Sequence, residues 1–479
     1  MRFGFVLDQT RCIGCHACTV ACKQENDVPL GVFRTWVKYI EKGSFPDTRR
    51  HFAVLRCNQC DDSPCTTICP TVALFRRPDG IVDFDNARCI GCKSCMQACP
   101  YDAIYIDPSE NTAAKCNFCA HRVDRGLAPA CEIVCPTQAI ISGDLDDPGS
   151  AIARIVSREP VAVRKPDQGT KPKVFYVGAD ATLLDPRLER DDSPMFVDPG
   201  IFKEQPADVG LTREVYDVVH DAPWGWKVWL YLWTKSIAAG TAIVGAALSL
   251  AGLEVPLYAP PIVALAFIML TAALLVFDLK RPERFWYLLV KPNFRSWLVW
   301  GGYILGAFSL GAAGWLAGDI LSLQHTALGL WALLILGAAA AGYTAFLFNQ
   351  AEGRDFWQSP MLLWHLLAEA VVCGAAVLLL TGAGHRALQC LLGGALILQA
   401  LFVLGELLER HGNADVRRAS HEILRAPSFW LVVLLAGTAA PLALLALQAP
   451  AAPASLLALA GALEYGRLWI RAGQAVRLS

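Results

Sequence analysis

Residues 12–22 read CIGCHACTVAC, which places four thiols within eleven residues. Residues 89–99, CIGCKSCMQAC, repeat the same spacing, C-x2-C-x2-C-x3-C. Two further groups are variants of it: residues 57–69 are spaced C-x2-C-x4-C-x3-C, and residues 116–135 are spaced C-x2-C-x11-C-x3-C. One cysteine loop is therefore used four times, which is an internal repeat.

Composition divides the protein into unlike parts. Sixteen of the eighteen cysteines lie before residue 136, whereas long apolar runs dominate from about residue 228 onward. The sequence predicts an α+β module over residues 1–145, an extended connector that docks on it over residues 146–227, and an all-α membrane bundle over residues 228–479. A formal net charge of -1 and the lack of long basic runs argue against a nucleic-acid partner.

Three kinds of site use clustered thiols. Three closely spaced thiolates can reach three corners of one 4Fe-4S cubane, while the fourth points to a neighbouring cluster. Zinc is the rival metal, because paired C-x2-C units also form tetrahedral thiolate sites. Disulfides need an oxidising compartment, and the first residues, MRFGFVLDQTRC, predict no cleavable secretory signal. The three-plus-one spacing, followed by Pro in three of the four groups, favours four 4Fe-4S clusters.

A family resemblance adds the pairing of the groups. Together with PTQAIISGDLDDPGS at residues 136–150 and TKPKVFYVG at residues 170–178, they resemble the iron–sulfur electron-transfer subunit of the dimethyl sulfoxide reductase family of molybdopterin oxidoreductases. The resemblance covers about residues 1–180 and implies a ferredoxin-like module of two pseudo-symmetric dicluster halves. The first group then shares its clusters with the fourth, and the second with the third. The implied ligand sets are Cys12, Cys15, Cys18 and Cys135; Cys22, Cys116, Cys119 and Cys131; Cys57, Cys60, Cys65 and Cys99; and Cys69, Cys89, Cys92 and Cys95.

No motif for substrate chemistry accompanies the cysteines. The sequence has no Gly-rich dinucleotide loop after a strand, no Ser/His/Asp arrangement and no CxxCH haem site. We interpret the module as an electron-transfer path, which we call the wire, in a non-catalytic redox subunit. Quinone oxidation or reduction is the only reaction expected on this chain. His16 and His121 stand beside ligands and are either outer donors to cluster sulfur atoms or solvated loop residues.

The predicted connector is rich in Pro, Asp and charge. VRKPDQGTKPK at residues 163–173 and DPRLERDDSPMFVDPG at residues 185–200 indicate an extended surface segment. WGWKVWLYLW at residues 224–233 then concentrates aromatic side chains where the apolar runs begin, as an interfacial belt does.

Eight apolar stretches are long enough to cross a membrane, given a rise of about 1.5 Å per helical residue and a hydrocarbon core of about 30 Å. They are residues 229–252, 257–278, 297–318, 326–348, 361–381, 387–409, 429–447 and 454–471. Glu464 and Arg467 interrupt the last stretch and are spaced to neutralise one another on a helix. The sequence therefore predicts a bundle of about eight transmembrane helices.

Basic residues are concentrated in the connectors after the second, fourth and sixth stretches. These ten are Lys280, Arg281, Arg284, Lys291, Arg295, Arg354, Arg410, Arg417, Arg418 and Arg425. The other connectors carry only Arg386. By the positive-inside rule, the cysteine module and both termini face the cytoplasm, in a multi-pass protein of the cytoplasmic membrane.

The membrane half has a resemblance of its own. DLKRPERFWYLLVKPNFRSWLVWGGYIL at residues 278–305 and FLFNQAEGRDFWQSPMLLWHLLAEA at residues 346–370 resemble the NrfD-like family of polysulfide reductase membrane subunits. This implies a haem-free subunit, over about residues 228–475, that reacts with menaquinone or ubiquinone. Ionisable side chains inside a membrane are costly and indicate function. The candidate quinone-binding residues are His365 and Glu369, one helical turn apart, with Asp278, Tyr343 and Glu406. For Asp278 and Glu406, pairing with basic loop residues is the alternative.

These patterns predict the electron-transfer and membrane-anchor subunit of a respiratory complex. It passes electrons through four 4Fe-4S clusters between a cytoplasmic, molybdopterin-containing catalytic subunit and the quinone pool of the membrane. Two alternatives are open: the wire serves a hydrogenase or a soluble electron carrier, or the membrane half is a passive anchor without quinone chemistry. The direction of electron flow depends on hydrogen bonds and burial around the clusters, which a sequence does not contain.

Overall fold

The computed structural model describes residues 1–185, 212–219, 223–383, 386–409 and 411–479. The protein forms two compact units: unit 1 comprises Met1–Asp221 with Arg477–Ser479, and unit 2 comprises Ala222–Val476. Residues 186–200 of the predicted connector and Arg410 of the basic set lie outside the described residues.

Unit 1 is an α+β module built around a small mixed sheet. In sequence order its elements are β1 (Phe3–Asp8), α1 (Ala17–Glu25), β2 (Thr35–Ser44), β3 (Asp47–Arg56), α2 (Pro64–Ile68), β4 (Leu74–Arg76), β5 (Val82–Phe84), α3 (Ser94–Ala98), β6 (Ile104–Ile106), β7 (Ala113–Lys115), α4 (Ala120–Val123), α5 (Ala130–Ile133), β8 (Ile140–Asp144), α6 (Ala151–Arg158), β9 (Val161–Ala162), β10 (Val174–Val177), α7 (Ala181–Leu184) and β11 (Thr212–Tyr216). The central sheet has the order β8–β1–β10–β9, and a second sheet has the order β11–β2–β3.

Strand β1 lies at the centre of the first sheet. Phe5 is opposite Ser142 in the antiparallel pair with β8, and opposite Val174 in the parallel pair with β10. Phe5, Val6 and Leu7 are all buried, as expected for an inner strand covered on both faces. The sheet therefore joins the amino terminus to residues more than a hundred positions later.

The described part of the predicted connector differs from the extended segment expected from its composition. Within it, α6, β9 and β10 form regular structure, and β10 pairs directly with β1. Lys173, just before β10, binds the second cysteine loop and the turn between β4 and β5: its Nζ donates to Asp61 Oδ1 at 2.8 Å and to Gly80 O at 2.7 Å. Composition failed here because strand pairing over a long sequence distance leaves no local signature.

The cysteine loops share one local geometry. In the first and third groups, Gly14 and Gly91 have φ of 70° and 68°, and His16 and Lys93, two positions on, have φ of 61° and 64°. Such left-handed backbone winds the chain tightly, and glycine adopts it without strain. Within the second and third groups, α2 and α3 lead into the hairpins β4–β5 and β6–β7. This repeat of turn, short helix and hairpin agrees with the predicted ferredoxin-like fold of the module.

Residues Arg477–Ser479 return to unit 1 and are held by its basic side chains. Lys38 Nζ donates to the Ser479 carbonyl at 3.0 Å, and Arg164 Nη2 donates to the Leu478 carbonyl at 3.1 Å. Leu478 and Ser479 are each 4% exposed. The polypeptide that leaves unit 1 before unit 2 therefore comes back to it after unit 2.

Unit 2 is all-α. In sequence order its helices are α8 (Trp226–Leu250), α9 (Ala259–Asp278), α10 (Tyr287–Val290), α11 (Trp297–Ile320), α12 (Ala327–Asn349), α13 (Leu362–Leu380), α14 (Arg386–Leu408), α15 (Ala414–Arg425), a π-helical segment (Phe429–Ala439) that continues as α16 (Ala440–Ala446), and α17 (Ala451–Ala475). Apart from the shorter α10 and α15, the long helical segments of the described residues coincide with the eight predicted stretches to within a few residues. The predicted all-α bundle and its eight long helical segments are confirmed, and six of these segments meet the criteria of a membrane span.

Among the helices of the described residues, six are long and apolar enough to cross a membrane: α9, α11, α12, α13, α14 and the continuous segment Phe429–Ala446. That last segment has a mean hydropathy of 2.2, yet only 22% of it is buried, so most of its apolar surface faces outward. This makes the protein a multi-pass membrane protein. The remaining two long helices are more polar, because α8 contains Lys235 and α17 contains Glu464 and Arg467. Arg467 Nε donates to Glu464 Oε2 at 2.7 Å, as their spacing predicts.

Small residues let the helices of unit 2 approach closely. Helices α8 and α13 cross where Gly240 meets Gly374: a Cβ on Gly240 would lie 1.7 Å from Ala370 O, and a Cβ on Gly374 would lie 2.1 Å from the Gly240 carbonyl carbon. At a second crossing, a Cβ on Gly437 would lie 2.5 Å from the Cα of Gly461 in α17. These contacts leave no room for any side chain and set the close approach of α8 to α13 and of the π-helical segment to α17.

Candidate functional site

Four cavities in unit 1 are each lined by four cysteines, three from one sequence group and one from another. Cavity A, of about 320 Å³, is lined by Cys12, Cys15, Cys18 and Cys135; cavity B, of about 270 Å³, by Cys22, Cys116, Cys119 and Cys131; cavity C, of about 310 Å³, by Cys57, Cys60, Cys65 and Cys99; and cavity D, of about 380 Å³, by Cys69, Cys89, Cys92 and Cys95. These quartets coincide with the four ligand sets that the family resemblance implies. The structure thus brings together all sixteen cysteines.

The shape of these sites fits polynuclear clusters better than single ions. Among the described residues, no group of three or more His, Cys, Asp or Glu side chains is arranged to hold one metal ion. A zinc ion needs its sulfur ligands about 2.3 Å from one point. The iron atoms of a cubane stand at separate corners, so their ligands surround a volume instead. All the cysteines are free thiols, which also argues against the disulfide alternative.

Backbone N–H groups point at several of the sulfur atoms. Leu74 N and Ala139 N lie 3.4 Å and 3.2 Å from the sulfur atoms of Cys69 and Cys135. Such donors stabilise negative charge on a ligand and raise cluster potentials. Burial raises the pKa of the Cys18 thiol to about 11, because an apolar cavity disfavours the thiolate. Iron must therefore displace thiol protons when it binds.

The cavities form a series in the order A, B, C, D. Cys18 of cavity A and Cys131 of cavity B are close enough for their charges to interact, and the same holds for Cys65 of cavity C and Cys95 of cavity D. Gln59 joins cavities B and C. Its side chain is fully buried, and Nε2 donates to the Cys116 carbonyl at 2.8 Å while Oε1 accepts from Val82 N at 2.8 Å. Val82 lines cavity C and Cys116 lines cavity B.

The two histidines beside the ligands have different surroundings. His16 lines cavity A and packs against Tyr39 and Tyr216, with ring centroids 5.3 Å and 5.2 Å away. Burial lowers the pKa of His16, which favours the neutral imidazole. His121 is more exposed and its Nε2 lies 2.7 Å from Glu25 Oε1, so it is held at the surface by a carboxylate.

Another cavity, of about 340 Å³, lies inside unit 2 among α8, α13 and α17. We call it the aromatic pocket. Its lining is Trp229, Leu232, Trp233, Leu362, His365, Leu366, Glu369, Ala462, Tyr465, Gly466 and Trp469. An apolar and aromatic lining with a few polar groups is typical of sites for planar organic ligands.

The polar groups of the aromatic pocket are His365, Glu369 and Tyr465, all at most 5% exposed. Both ring nitrogens of His365 and the hydroxyl of Tyr465 have no hydrogen-bond partner among the described residues, and the two rings lie 5.0 Å apart. Buried polar groups without partners are rare in folded proteins and require an explanation. Glu406 on α14, 7% exposed, is close enough to His365 and Tyr465 for their charges to interact. The pocket is thus built to receive a ligand that forms hydrogen bonds.

The structure separates the predicted quinone residues. His365 and Glu369 line the aromatic pocket and Glu406 lies beside it, whereas Asp278 and Tyr343 are not among its lining residues. Tyr343 is buried in a different cluster, of side chains from α8, α9, α11, α12 and α13, and Asp278 is the half-buried last residue of α9. Sequence reasoning also missed Tyr465, because its approach to His365 is a contact between distant helices that no local pattern indicates.

A buried lysine is the other missed residue of unit 2. Lys235 on α8 is 0% exposed, and its Nζ donates to the Ala341 carbonyl at 2.7 Å and to the Thr344 hydroxyl. It lies 5.2 Å from the centre of the Tyr343 ring. Lys235 is also close enough to Glu369 of the aromatic pocket for their charges to interact. The rule that intramembrane charges indicate function would have found it, since it lies within a predicted apolar stretch.

Comparison with known families and proteins agrees with both units. Residues 49–145 match the family described as 4Fe-4S dicluster domain, and residues 214–476 match the family described as polysulphide reductase, NrfD. The first match contains three of the four cysteine groups, and the second covers more than half of the sequence.

Known relatives match less than half of this sequence. A tetrathionate reductase subunit of Salmonella typhimurium is 45% identical over 193 residues, which are 40% of this sequence and 77% of that protein. A component of the polysulfide reductase of Wolinella succinogenes is 43% identical over 181 residues, 37% of this sequence and 94% of that protein. The arsenate respiratory reductase iron–sulfur subunit of Shewanella is 35% identical over 227 residues, 37% of this sequence and 96% of that protein.

These matches, with the cysteine-lined cavities and the apolar helices, establish an iron–sulfur electron-transfer module and a multi-pass membrane anchor on one polypeptide. This polypeptide belongs to the NrfD polysulphide reductase family, with an iron–sulfur module of the 4Fe-4S dicluster type preceding its membrane domain.

Proposed function

We propose that the protein carries electrons through four 4Fe-4S clusters, one in each of cavities A to D, between a molybdopterin-containing catalytic subunit and the quinone pool of the cytoplasmic membrane. The clusters supply one-electron transfer when bound. Each quartet of cysteines would hold one cluster, and Gln59 fixes the loops of cavities B and C against each other. The names of the relatives, reductases for tetrathionate, polysulfide and arsenate, support a catalytic partner that reduces a small oxidised sulfur or arsenic compound.

The aromatic pocket is the proposed quinone site. The observation that carries this proposal is the set of unpartnered polar atoms, the His365 ring nitrogens and the Tyr465 hydroxyl, facing a cavity of about 340 Å³. His365 and Tyr465 would donate hydrogen bonds to the quinone carbonyls. The indole rings of Trp229, Trp233 and Trp469 would hold the quinone ring between apolar faces.

The proton chemistry of a quinone requires groups that hold protons near its carbonyl oxygens. Glu369 Oε2 lies 3.6 Å from His365 Nε2, too far for a strong hydrogen bond but near enough to receive a proton through a small movement or a water molecule. Glu406 and Lys235 stand behind these two residues and would exchange protons with them. In this arrangement the protein's own residues would supply the two protons that the quinone carbonyl oxygens take up on reduction.

Connectivity and charge support the proposed orientation. Residues on both sides of unit 2 belong to unit 1, which requires an even number of membrane crossings. Nine of the ten basic connector residues are described, and they favour the cytoplasmic side for the connectors after the second, fourth and sixth predicted stretches. Arg354 also has a structural role there, because its Nη1 donates to the Val476 carbonyl at 2.8 Å beyond the end of α17.

One experiment tests the partner. The tagged protein is purified gently from its native membrane, and molybdenum, tungsten and nickel are measured with the proteins that accompany it. Stoichiometric molybdenum or tungsten with a large co-purifying polypeptide supports the proposal. Nickel would indicate that the electron-transfer module serves a hydrogenase. If none of the three metals is found, the module would instead serve a soluble electron carrier.

A second experiment tests the quinone site. The purified protein is reduced with dithionite, the excess is removed, and cluster absorbance is followed after addition of a short-chain ubiquinone or menaquinone. Rapid reoxidation that is lost in the His365→Leu variant supports a reactive site in the aromatic pocket. Reoxidation that is equally fast in wild type and variant, or absent from wild type, supports a passive anchor.

A further inference from the structure

Two buried cations lie between the cysteine cavities of unit 1. Arg56, the last residue of β3, is 0% exposed and lines cavity B. Its Nη1 donates to the sulfur atom of Cys131 at 3.2 Å, and its guanidinium lies 4.4 Å from the centre of the Phe5 ring. Among the described residues, its Nε and Nη2 have no hydrogen-bond partner, and no carboxylate pairs with it. Glu132 on α5 is close enough to Arg56 for their charges to interact but forms no direct ion pair with it, so negative charge in the cavities would complete the pairing of this buried guanidinium.

The charge of Arg56 reaches cavity A as well as cavity B. Val54, two residues before Arg56 and on the same face of β3, lines cavity A. Cys18 of cavity A in turn lies close enough to Cys131 of cavity B for their charges to interact. Arg56 therefore stands between the first two sites of the series.

Lys115 has the same relation to the second and third sites. It is 0% exposed and its Nζ donates to the carbonyls of Val82 and of Cys116, the latter at 3.1 Å. Val82 lines cavity C and Cys116 lines cavity B. Both acceptors are neutral carbonyls, so Lys115, like Arg56, lacks a paired carboxylate among the described residues.

The charge state of an iron–sulfur cluster responds to such neighbours. Reduction adds one electron and one negative charge, forms or breaks no bond, and needs no proton at the cluster. A fixed positive charge in a medium of low polarity stabilises the reduced state more than the oxidised state, and the effect falls with distance. Net charge and hydrogen bonds to the sulfur atoms are the main determinants of cluster potential.

We propose that Arg56 and Lys115 set the reduction potentials along the wire, Arg56 acting on the clusters of cavities A and B, and Lys115 on those of cavities B and C. The cluster in cavity B is influenced by both cations, and the cluster in cavity D by neither. The proposal rests on the four clusters proposed above, and the electrons are those that the protein already transfers. Arg56 and Lys115 are potential-setting residues and touch no substrate.

The test is a redox titration followed by electron paramagnetic resonance on the full-length purified protein. Wild type must first contain about sixteen iron atoms per polypeptide, four per cluster; a lower value would contradict the proposed function, separately from this inference. Signals are assigned to cavities with single ligand variants. In Arg56→Gln, we expect the reduction equilibrium to fall about tenfold for clusters A and B, which is about 59 mV for one electron, with C and D unchanged.

The charge-preserving variant and the second site complete the design. Arg56→Lys should restore most of the wild-type potentials, and Lys115→Gln should lower clusters B and C while leaving A and D unchanged. If Arg56→Gln fails to assemble clusters, the potential shifts of the four clusters in Lys115→Gln test the proposal instead. Three outcomes would overturn the proposal and leave both residues with a packing role only. They are unchanged potentials in variants that assemble their clusters, equal shifts in all four clusters, and loss of clusters in both Arg56→Lys and Lys115→Gln.

Discussion

Nε2 of His365 lies 3.6 Å from Oε2 of Glu369, one turn further along α13, and both side chains face the aromatic pocket. The separation is longer than a hydrogen bond, so neither group satisfies the other. Tyr465 approaches the same imidazole from α17, and its hydroxyl likewise has no partner among the described residues. Three groups that can donate or accept protons therefore converge on one buried space. The proposed quinone chemistry rests on this arrangement.

The first prediction concerns this convergence. Replacement of His365 by Leu, or of Tyr465 by Phe, removes a hydrogen-bond donor to the ligand, and each bond of this kind contributes about 1–3 kcal/mol when buried. We expect quinone-dependent reoxidation of the reduced clusters to slow by about tenfold or more, with iron content unchanged. Stopped-flow absorbance measures the rate.

Tyr343→Phe is the matched control, because Tyr343 is a buried tyrosine of the same unit outside the pocket lining. It should retain the wild-type rate. Equal slowing in Tyr343→Phe and Tyr465→Phe would place the quinone elsewhere in unit 2.

The second prediction concerns ligand sharing between sequence groups. Cys22 belongs to the first group but lines cavity B, and Cys135 belongs to the fourth group but lines cavity A. Cys22→Ser and Cys18→Ser should therefore perturb different clusters although they lie four residues apart, while Cys135→Ser and Cys18→Ser should perturb the same one. The measurement is the set of resonance signals lost in each variant. Loss of one common signal in Cys18→Ser and Cys22→Ser would disprove the sharing.

The third prediction concerns the helix crossing of α8 and α13. Gly374→Ala introduces a methyl group 2.1 Å from the Gly240 carbonyl carbon. Overpacking of this kind costs about 1–3 kcal/mol, and backbone contact on both sides places this site at the upper end. We expect a lower midpoint of thermal unfolding in detergent and lower yield from membranes.

Gly302→Ala on α11 is the control for this substitution, because nothing lies within 4 Å of the position of its added Cβ. It should unfold at or slightly above the wild-type temperature, since alanine is the better helix former. A destabilisation as large as that of Gly374→Ala would show that helix propensity, not packing, dominates.

The fourth prediction concerns Lys235. Replacing a buried charge by an apolar side chain of similar length is often neutral or stabilising, whereas an intramembrane charge is commonly required for activity. Lys235→Met should therefore keep or raise the unfolding temperature and slow quinone-dependent reoxidation by about tenfold. A variant that is less stable but fully active would assign Lys235 a structural role through Ala341 and Thr344.

The fifth prediction concerns orientation. An epitope inserted after Glu283, in a basic connector, should be inaccessible to antibody in sealed right-side-out cells and accessible after permeabilisation. An epitope inserted after Ser322, between α11 and α12, should be accessible in both. The reverse pattern would place unit 1 outside the cytoplasm.

Local sequence patterns were sufficient for much of this protein. The spacing of the cysteines predicts the turns of each loop, because three thiols within a few residues can meet one cluster whatever the rest of the fold does. The apolar stretches predict the long helices for a similar reason, since their length is set by the membrane. The closeness of His365 and Glu369 also follows from helical periodicity alone.

Contacts between distant parts of the sequence were decided only by the tertiary structure. Spacing shows that Cys22 points away from its own group, but only the folded loops bring it to cavity B with Cys116, Cys119 and Cys131. The parallel pairing of β10 with β1, the approach of Tyr465 to His365 and the burial of Arg56 and Lys115 between cavities have no local periodicity. These contacts arise from packing. Each depends on side chains of separate elements that fill one interior space, and a local sequence pattern does not encode which elements meet.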